Sequence, residues 1–150
     1  MAMTLSIEDP SVDAARSGDR AAWEDLYRRF HPAVQRYLEI LAPEADPEQI
    51  WARAAHALPG QPVGVKPLVW LFRVARECMV GDADPAAADD LTIAAIRRLP
   101  PLQREIITMR VVGRLTDGDV AAVVGWPETR VAAAAHAALT DLQVVARLAS

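Results

Sequence analysis

Trp23, Leu26, Tyr27 and Phe30 stand at positions i, i+3, i+4 and i+7, with Asp19, Arg20, Glu24, Asp25, Arg28 and Arg29 around and between them. Side chains with that period fall on one face of an α-helix, so the first clear pattern in the chain commits it to helix packing. Val34, Tyr37, Leu38 and Leu41 repeat the spacing after Pro32, which removes a backbone donor; the expectation is one helix ending near the proline and a second starting there. Asp46-Pro47-Glu48-Gln49 offers a capping side chain and a proline at the first helical position, opening a third helix that runs to about Leu58. Pro59, Gly60, Pro62, Gly64 and Pro67 enforce a loop, and Leu68, Leu71, Phe72, Ala75 and Met79 then mark one face of a fourth helix, with Arg73, Arg76 and Glu77 off that face. These helices are expected to form a small bundle with a Trp-rich interior, behind a loose end at residues 1–10 where no pattern is sustained.

Composition points the same way. Hydrophobic residues make up 52% against 24% charged, which is enough apolar surface to offset the entropy of ordering and excludes disorder of the whole chain. Two Phe and two Tyr accompany an excess of Ala and Arg, which favours helix over sheet. The expected class is all-α. A length of 150 residues holds one ordinary domain or two small helical ones, not a large barrel or a typical multi-domain enzyme.

The stretch from Gly81 to Asp90 contains turn formers, like charges and no large apolar residue, and is read as an acidic linker between a helical bundle at 1–80 and a second helical domain at 91–150. In the second domain the patterns run over 91–99, 102–112, 116–124 and 128–148, with Pro100-Pro101 between the first two and Gly113 and Gly125 as stops. Charge divides with the domains: nine basic and eleven acidic groups before the linker, four acidic groups in it, seven basic and five acidic groups after it. The single Cys78 has no intramolecular partner, no leader pattern opens the chain and no apolar run approaches the ~20 residues of a membrane span, so a cytoplasmic protein without a membrane segment is expected.

Thr116 to Val131 is the most specific segment. Ala121 lies four residues before Gly125 and Val131 six after it. A small residue that lets two helices approach, a glycine that accepts positive φ and an apolar plug on the second helix are the requirements of a helix-turn-helix.

Leu99-Pro-Pro-Leu-Gln-Arg-Glu-Ile-Ile-Thr-Met-Arg110, followed by that turn, resembles the C-terminal promoter-binding domain (region 4) of bacterial extracytoplasmic-function RNA polymerase sigma factors. Gly18 to Pro32 is similar to the opening helix of that family's region 2, and Trp70-Leu-Phe-Arg-Val-Ala-Arg76 to its promoter-melting helix. The resemblance implies a non-enzymatic initiation factor without a cofactor, which binds core RNA polymerase and promoter DNA and is held by an anti-sigma or other regulatory protein. It implies DNA contacts for Arg73, Arg76, Thr129, Arg130, Ala133 and His136, and a polymerase-clamp contact for Asp46, Glu48 and Gln49, on a helix about one turn short. It would also place the loop from Gly60 to Lys66, which lacks aromatics, where a flipped base is captured.

The reading helix departs from the family pattern. Ala132, Ala134 and Ala137 occupy positions where long cationic side chains usually reach phosphates and base edges, leaving Arg130 and His136. Residues 117–150 carry two Arg against four acids, whereas Arg97, Arg98, Arg104, Arg110 and Arg114 face only Glu105 over 97–114. That upstream cluster suits either a phosphate clamp, an acidic partner or a merely solvated helix face. The alternative function is therefore a degenerate relative that no longer reads promoters and serves as a protein-interaction module. His31, His56 and His136 lack companions at metal-ligand spacing, Cys78 lacks a nearby base, and Gly60 to Lys66 lacks the spacing and the hydroxyl of a phosphate loop.

Overall fold

The computed structural model describes residues 11–79 and 83–149, with side chains as far as 144; the expected loose end at 1–10 and the start of the linker lie outside the described residues. Among the described residues there is no strand. Helices α1 (Ser11–Arg16), α2 (Arg20–Leu41), α3 (Pro47–Ala57) and α4 (Pro67–Cys78) form the first half, and α5 (Leu91–Arg97), α6 (Pro101–Val112), α7 (Asp117–Val124) and α8 (Glu128–Ala149) the second. Single 3-10 turns follow α3 at Leu58–Gly60 and precede α5 at Pro85–Ala87.

Proline at position 32 does not divide the first pattern. α2 is one helix of 22 residues with Pro32 inside it, because Leu26, Val34, Tyr37, Leu38 and Leu41 stay in phase on one buried stripe across the proline. Burying that stripe outweighs one missing ladder bond, and Pro32 itself faces solvent. Asp19 starts the helix by accepting from the Ala22 amide at 3.2 Å. α1, which the sequence pattern does not announce, packs against α2 through Val12 and Ala15.

α4 keeps Arg73, Arg76 and Glu77 off its apolar face as expected, but buries a wider face than the expected one. Val69, Trp70, Leu71, Phe72, Val74 and Ala75 are all buried, while Leu68 and Met79 of the expected face are only half-buried. The reason is tertiary: α2 and α3 cover one side of α4, and α7 of the second half covers another. Trp70 is 1% exposed and Phe72 fully enclosed, stacked on Tyr37 at 4.6 Å. A buried aromatic of this size removes on the order of 150–250 Å² from water, roughly 4–6 kcal/mol of transfer free energy.

The two halves share one core, in which Ile96, Ile106, Met109, Val120 and Val131 join Val34, Tyr37, Phe72 and Trp70. Contacts between them run from α2 to α5 and α6 and from α4 to α7. Gly113 marks the closest approach: a Cβ there would lie 2.7 Å from Phe72 Cε2. Its φ is −94°, so glycine serves proximity at this stop, and the left-handed residue is Arg114, at φ +53°. Arg97 is the other unexpected element of the seam. It is 6% exposed, and its guanidinium donates to the Ile40 carbonyl at 3.0 Å, the Glu39 carbonyl at 2.7 Å and the Asp84 carbonyl at 2.9 Å. One cation thereby satisfies carbonyls at the C-terminal end of α2, where the helix dipole favours positive charge, and holds the connector beside them.

Candidate nucleic-acid interface

The turn that presents α8 is built by local chemistry. Thr116 caps α7: its hydroxyl accepts from the Asp119 amide at 3.1 Å, and the Asp119 carboxylate accepts from the Thr116 amide at 3.3 Å. This reciprocal capping box leaves no doubt where α7 begins. Gly125 ends it at φ +79°, its amide donating to the Ala121 carbonyl at 2.8 Å. Val131, Ala135 and Ala138 then turn inward, at 0–2% exposure, and seat α8 on α6 and α7.

The opposite side of α8 faces solvent. Thr129, Arg130, Ala132, Ala133 and His136 are exposed, as are Leu139, Thr140 and Gln143 further along. Of the expected basic positions, Ala132 is open to solvent, whereas Ala134 and Ala137 are half-buried. Arg130 lies with its guanidinium 3.7 Å from the centre of the Trp126 ring, a cation–π contact that parks the principal cation of this face against its own turn. The face thus has the direction of a reading helix but few donors long enough to contact a groove.

α4 has the reverse character. Arg73 donates from Nε and Nη2 to the Ala122 carbonyl at 3.0 and 2.8 Å, near the C-terminal end of α7. Arg76 pairs with Glu105 of α6 at 2.8 Å, and Lys66, just before α4, pairs with Asp119 at 2.7 Å. Arg73, Arg76, Glu77, Glu105 and Val123 line a cleft of about 390 Å³ between the halves. Burial of Asp119 opposes ionisation, but the Lys66 ammonium and the Thr116 amide outweigh it and hold the carboxyl below the ordinary carboxylate value. Burial pushes the Tyr37 hydroxyl far above its ordinary range, the Glu105 carboxylate adding to that and Arg76 opposing it.

The upstream arginines do not form one patch. Arg97 is interior, Arg104 donates to the Arg97 carbonyl at 3.0 Å, and Arg110 pairs with Asp117. Arg98 and Arg114 are exposed. Helix-end carbonyls and nearby carboxylates explain most of the cluster.

At the other end of the molecule, Asp46, Glu48 and Gln49 are exposed on the first turn of α3. Asp46 is the cap, accepting from the Glu48 amide at 3.0 Å, and Glu48 accepts from the Tyr27 hydroxyl at 2.6 Å. That bond, then desolvation and the nearby negative charge, raises the Tyr27 pKa. Trp51 is 3% exposed and donates from Nε1 to His31 Nδ1 at 3.1 Å, so it is a core residue, while His31 also stacks on Tyr27 at 4.6 Å. A groove of about 480 Å³ beside Glu48 is lined by Trp23, Glu24, Tyr27, Trp51 and Ala52. Among the described residues no helix is long and apolar enough to cross a membrane.

The sigma-70 region 4 model matches residues 90–142, from the start of α5 through most of the described part of α8. The solved structure of CnrH in complex with the cytosolic domain of CnrY has the same fold, at a TM-score of 0.81 and 22% identity, covering 93% of this chain and 97% of that one. No curated protein matches the chain in sequence. Residues 90–142 are thus similar to region 4 of the sigma-70 proteins, and the chain shares its fold with CnrH over nearly its whole length.

Proposed function

We propose that the protein binds core RNA polymerase and promoter DNA as a two-unit initiation factor, with units at 1–80 and 91–150 joined by 81–90, and that its grip on the −35 region is weakened. The observation that carries this reading is the solvent-facing side of α8, where Thr129, Arg130, Ala133 and His136 stand outward on a helix set by a helix-turn-helix. Arg73 and Arg76 would serve the melted strand. Asp46, Glu48 and Gln49, beside the Trp23–Trp51 groove, would meet the polymerase clamp. Such a protein performs no covalent chemistry and works in the cytoplasm. The named complex of CnrH with CnrY supports an anti-sigma or similar regulatory protein as a further partner.

A second reading is favoured by the chemistry of the same face. Leu139 and Val144 are about half exposed on α8, and Ala132 and Ala133 extend that surface with no charge. A protein-interaction module that has given up promoter reading would present such a face. A salt-titrated gel shift with promoter-length duplex, with and without core polymerase, separates the two. Each phosphate contact gives a slope of about −0.9 in log affinity against log salt. Binding with a measurable slope, together with co-purification of polymerase subunits, supports initiation. Absence of both at low salt supports the interaction module.

A further inference from the structure

The aromatic groove between α2 and α3 has a chemistry that a polymerase contact at Asp46, Glu48 and Gln49 does not require. Trp23 and Tyr27 of α2 and Trp51 of α3 line it, and the structure holds these rings in place without a ligand. Trp51 donates to His31 Nδ1 at 3.1 Å; Tyr27 stacks on His31 at 4.6 Å and donates its hydroxyl to Glu48 at 2.6 Å. Trp23 meets Trp51 edge to face, their planes at 86°, and Tyr27 is tilted by 54° to the same indole. Both α2 rings are therefore steeply inclined to Trp51 and form walls of different direction, while Ala52 and Ala55 of α3 add only methyl groups to the lining. The charged residues among the described lining are Glu24 and Glu48, with no Lys or Arg beside them. Ring faces carry the negative side of the aromatic quadrupole, so the walls and the carboxylates favour the same occupant, a cation.

The acceptors decide which cation. One oxygen of Glu48 already takes the Tyr27 hydroxyl, and one of Glu24 leans toward Arg20 at 3.7 Å. A guanidinium or primary ammonium gives up hydrogen bonds to water on entering and finds few acceptors to replace them, whereas a fully methylated ammonium has none to give up. We propose that the Trp23–Tyr27–Trp51 groove binds a small methylated ammonium ion of the choline class, seated against the rings and balanced by Glu24 and Glu48. A ligand that carries its own anion, such as glycine betaine, meets two like charges there and is selected against. This binding goes beyond the proposed polymerase contact and is tested without polymerase.

The test titrates the full chain with choline chloride at constant ionic strength and follows the assigned indole N–H signals by NMR. The signals of Trp23 and Trp51 should shift saturably, and that of Trp126 in the other half should stay in place. Glycine betaine, and the uncharged isostere of choline in which carbon replaces nitrogen, should bind about fivefold more weakly. Glu24→Gln with Glu48→Gln keeps the shape of the groove and removes its charge; it should weaken choline about fivefold, and Trp23→Leu, which removes one wall, about tenfold. Absence of a saturable shift at Trp23 and Trp51 overturns the proposal. So does equal affinity for choline and its uncharged isostere, or an unchanged affinity in the double Gln variant, since either makes the groove merely apolar. Tighter binding of N-acetylarginine amide than of choline overturns it in favour of a guanidinium side chain. Should Trp23→Leu fail to fold, the isostere and the Gln pair, which alters only exposed side chains, still decide. A chain that binds choline as described but captures no polymerase leaves this proposal standing while the polymerase contact fails.

Discussion

α4 and α8 are the two helices on which DNA contacts were expected, and they present opposite halves of what such a contact requires. α4 carries the cations but has them engaged across the seam; α8 offers an open surface on which Arg130 stacks against Trp126 and alanine replaces the long donors. A side chain contributes to recognition only if it has both the right chemistry and the freedom to exchange its present partner for a phosphate or base. Sequence displays the first condition. The second depends on what folds against the side chain, and here it separates two helices that a motif comparison treats alike.

The sharpest way to break the comparison is to truncate each helix in turn. Phe72→Ala in α4 should cost about 3–5 kcal/mol, since it empties a fully enclosed site against Tyr37 and Gly113. Leu139→Ala, on the open face of α8, should stay within about 0.5 kcal/mol; urea denaturation measures both. Arg97→Met comes next. It leaves the Glu39 and Ile40 carbonyls without their buried donor and should destabilise by about 2–3 kcal/mol, seen as a lower thermal midpoint.

Ala132→Lys with Ala133→Arg sharpens the comparison from the other side, by adding donors where the surface is already open. Duplex affinity should rise about tenfold at low salt, and the salt slope should steepen by about 1–2. An unchanged slope would mean that this face does not meet DNA. Trp126→Leu should cost only about 0.5–1 kcal/mol of stability by removing the ring under Arg130. The smallest effect is expected from acid. The Asp119 carboxyl is held below its ordinary value, so its stabilising contribution is complete above that value and is lost as pH falls through the lowered one. The stability difference between wild type and Asp119→Asn should therefore shrink from about pH 5 downward, measured by thermal unfolding across pH.

Much of the secondary structure was legible because short helices announce themselves locally. The i, i+3, i+4 spacing, the Asp46-Pro47 start and the Gly125 stop each act within a turn or two, and the helices lie close to where those signals put them. Two local signals conflict at Pro32: the proline favours a break, but the apolar stripe continues in phase and helix packing carries α2 through. α1 escaped because two buried residues in six are too few to show a period. The candidate site was legible only as residue types. Thr129, Arg130, Ala133 and His136 do face outward, while Arg73 and Arg76 are turned into the seam. What the sequence left out was the partner of the polar side of α4: Arg73 and Arg76 meet the Ala122 carbonyl and Glu105, 49 and 29 residues away along the chain.

By itself the sequence determined the helical class, the starts of α3 and α7, the turn before α8 and the scarcity of cations on that helix, because each depends on residues close together along the chain. Only the tertiary structure decided that Arg97 is a buried strut, that Gly113 answers to Phe72, and that Lys66, Arg73 and Arg76 hold the two halves together. Those outcomes belong to pairs separated by tens of residues, and a cation's partner is fixed by which carbonyl or carboxylate the packed core brings within about 3 Å of it.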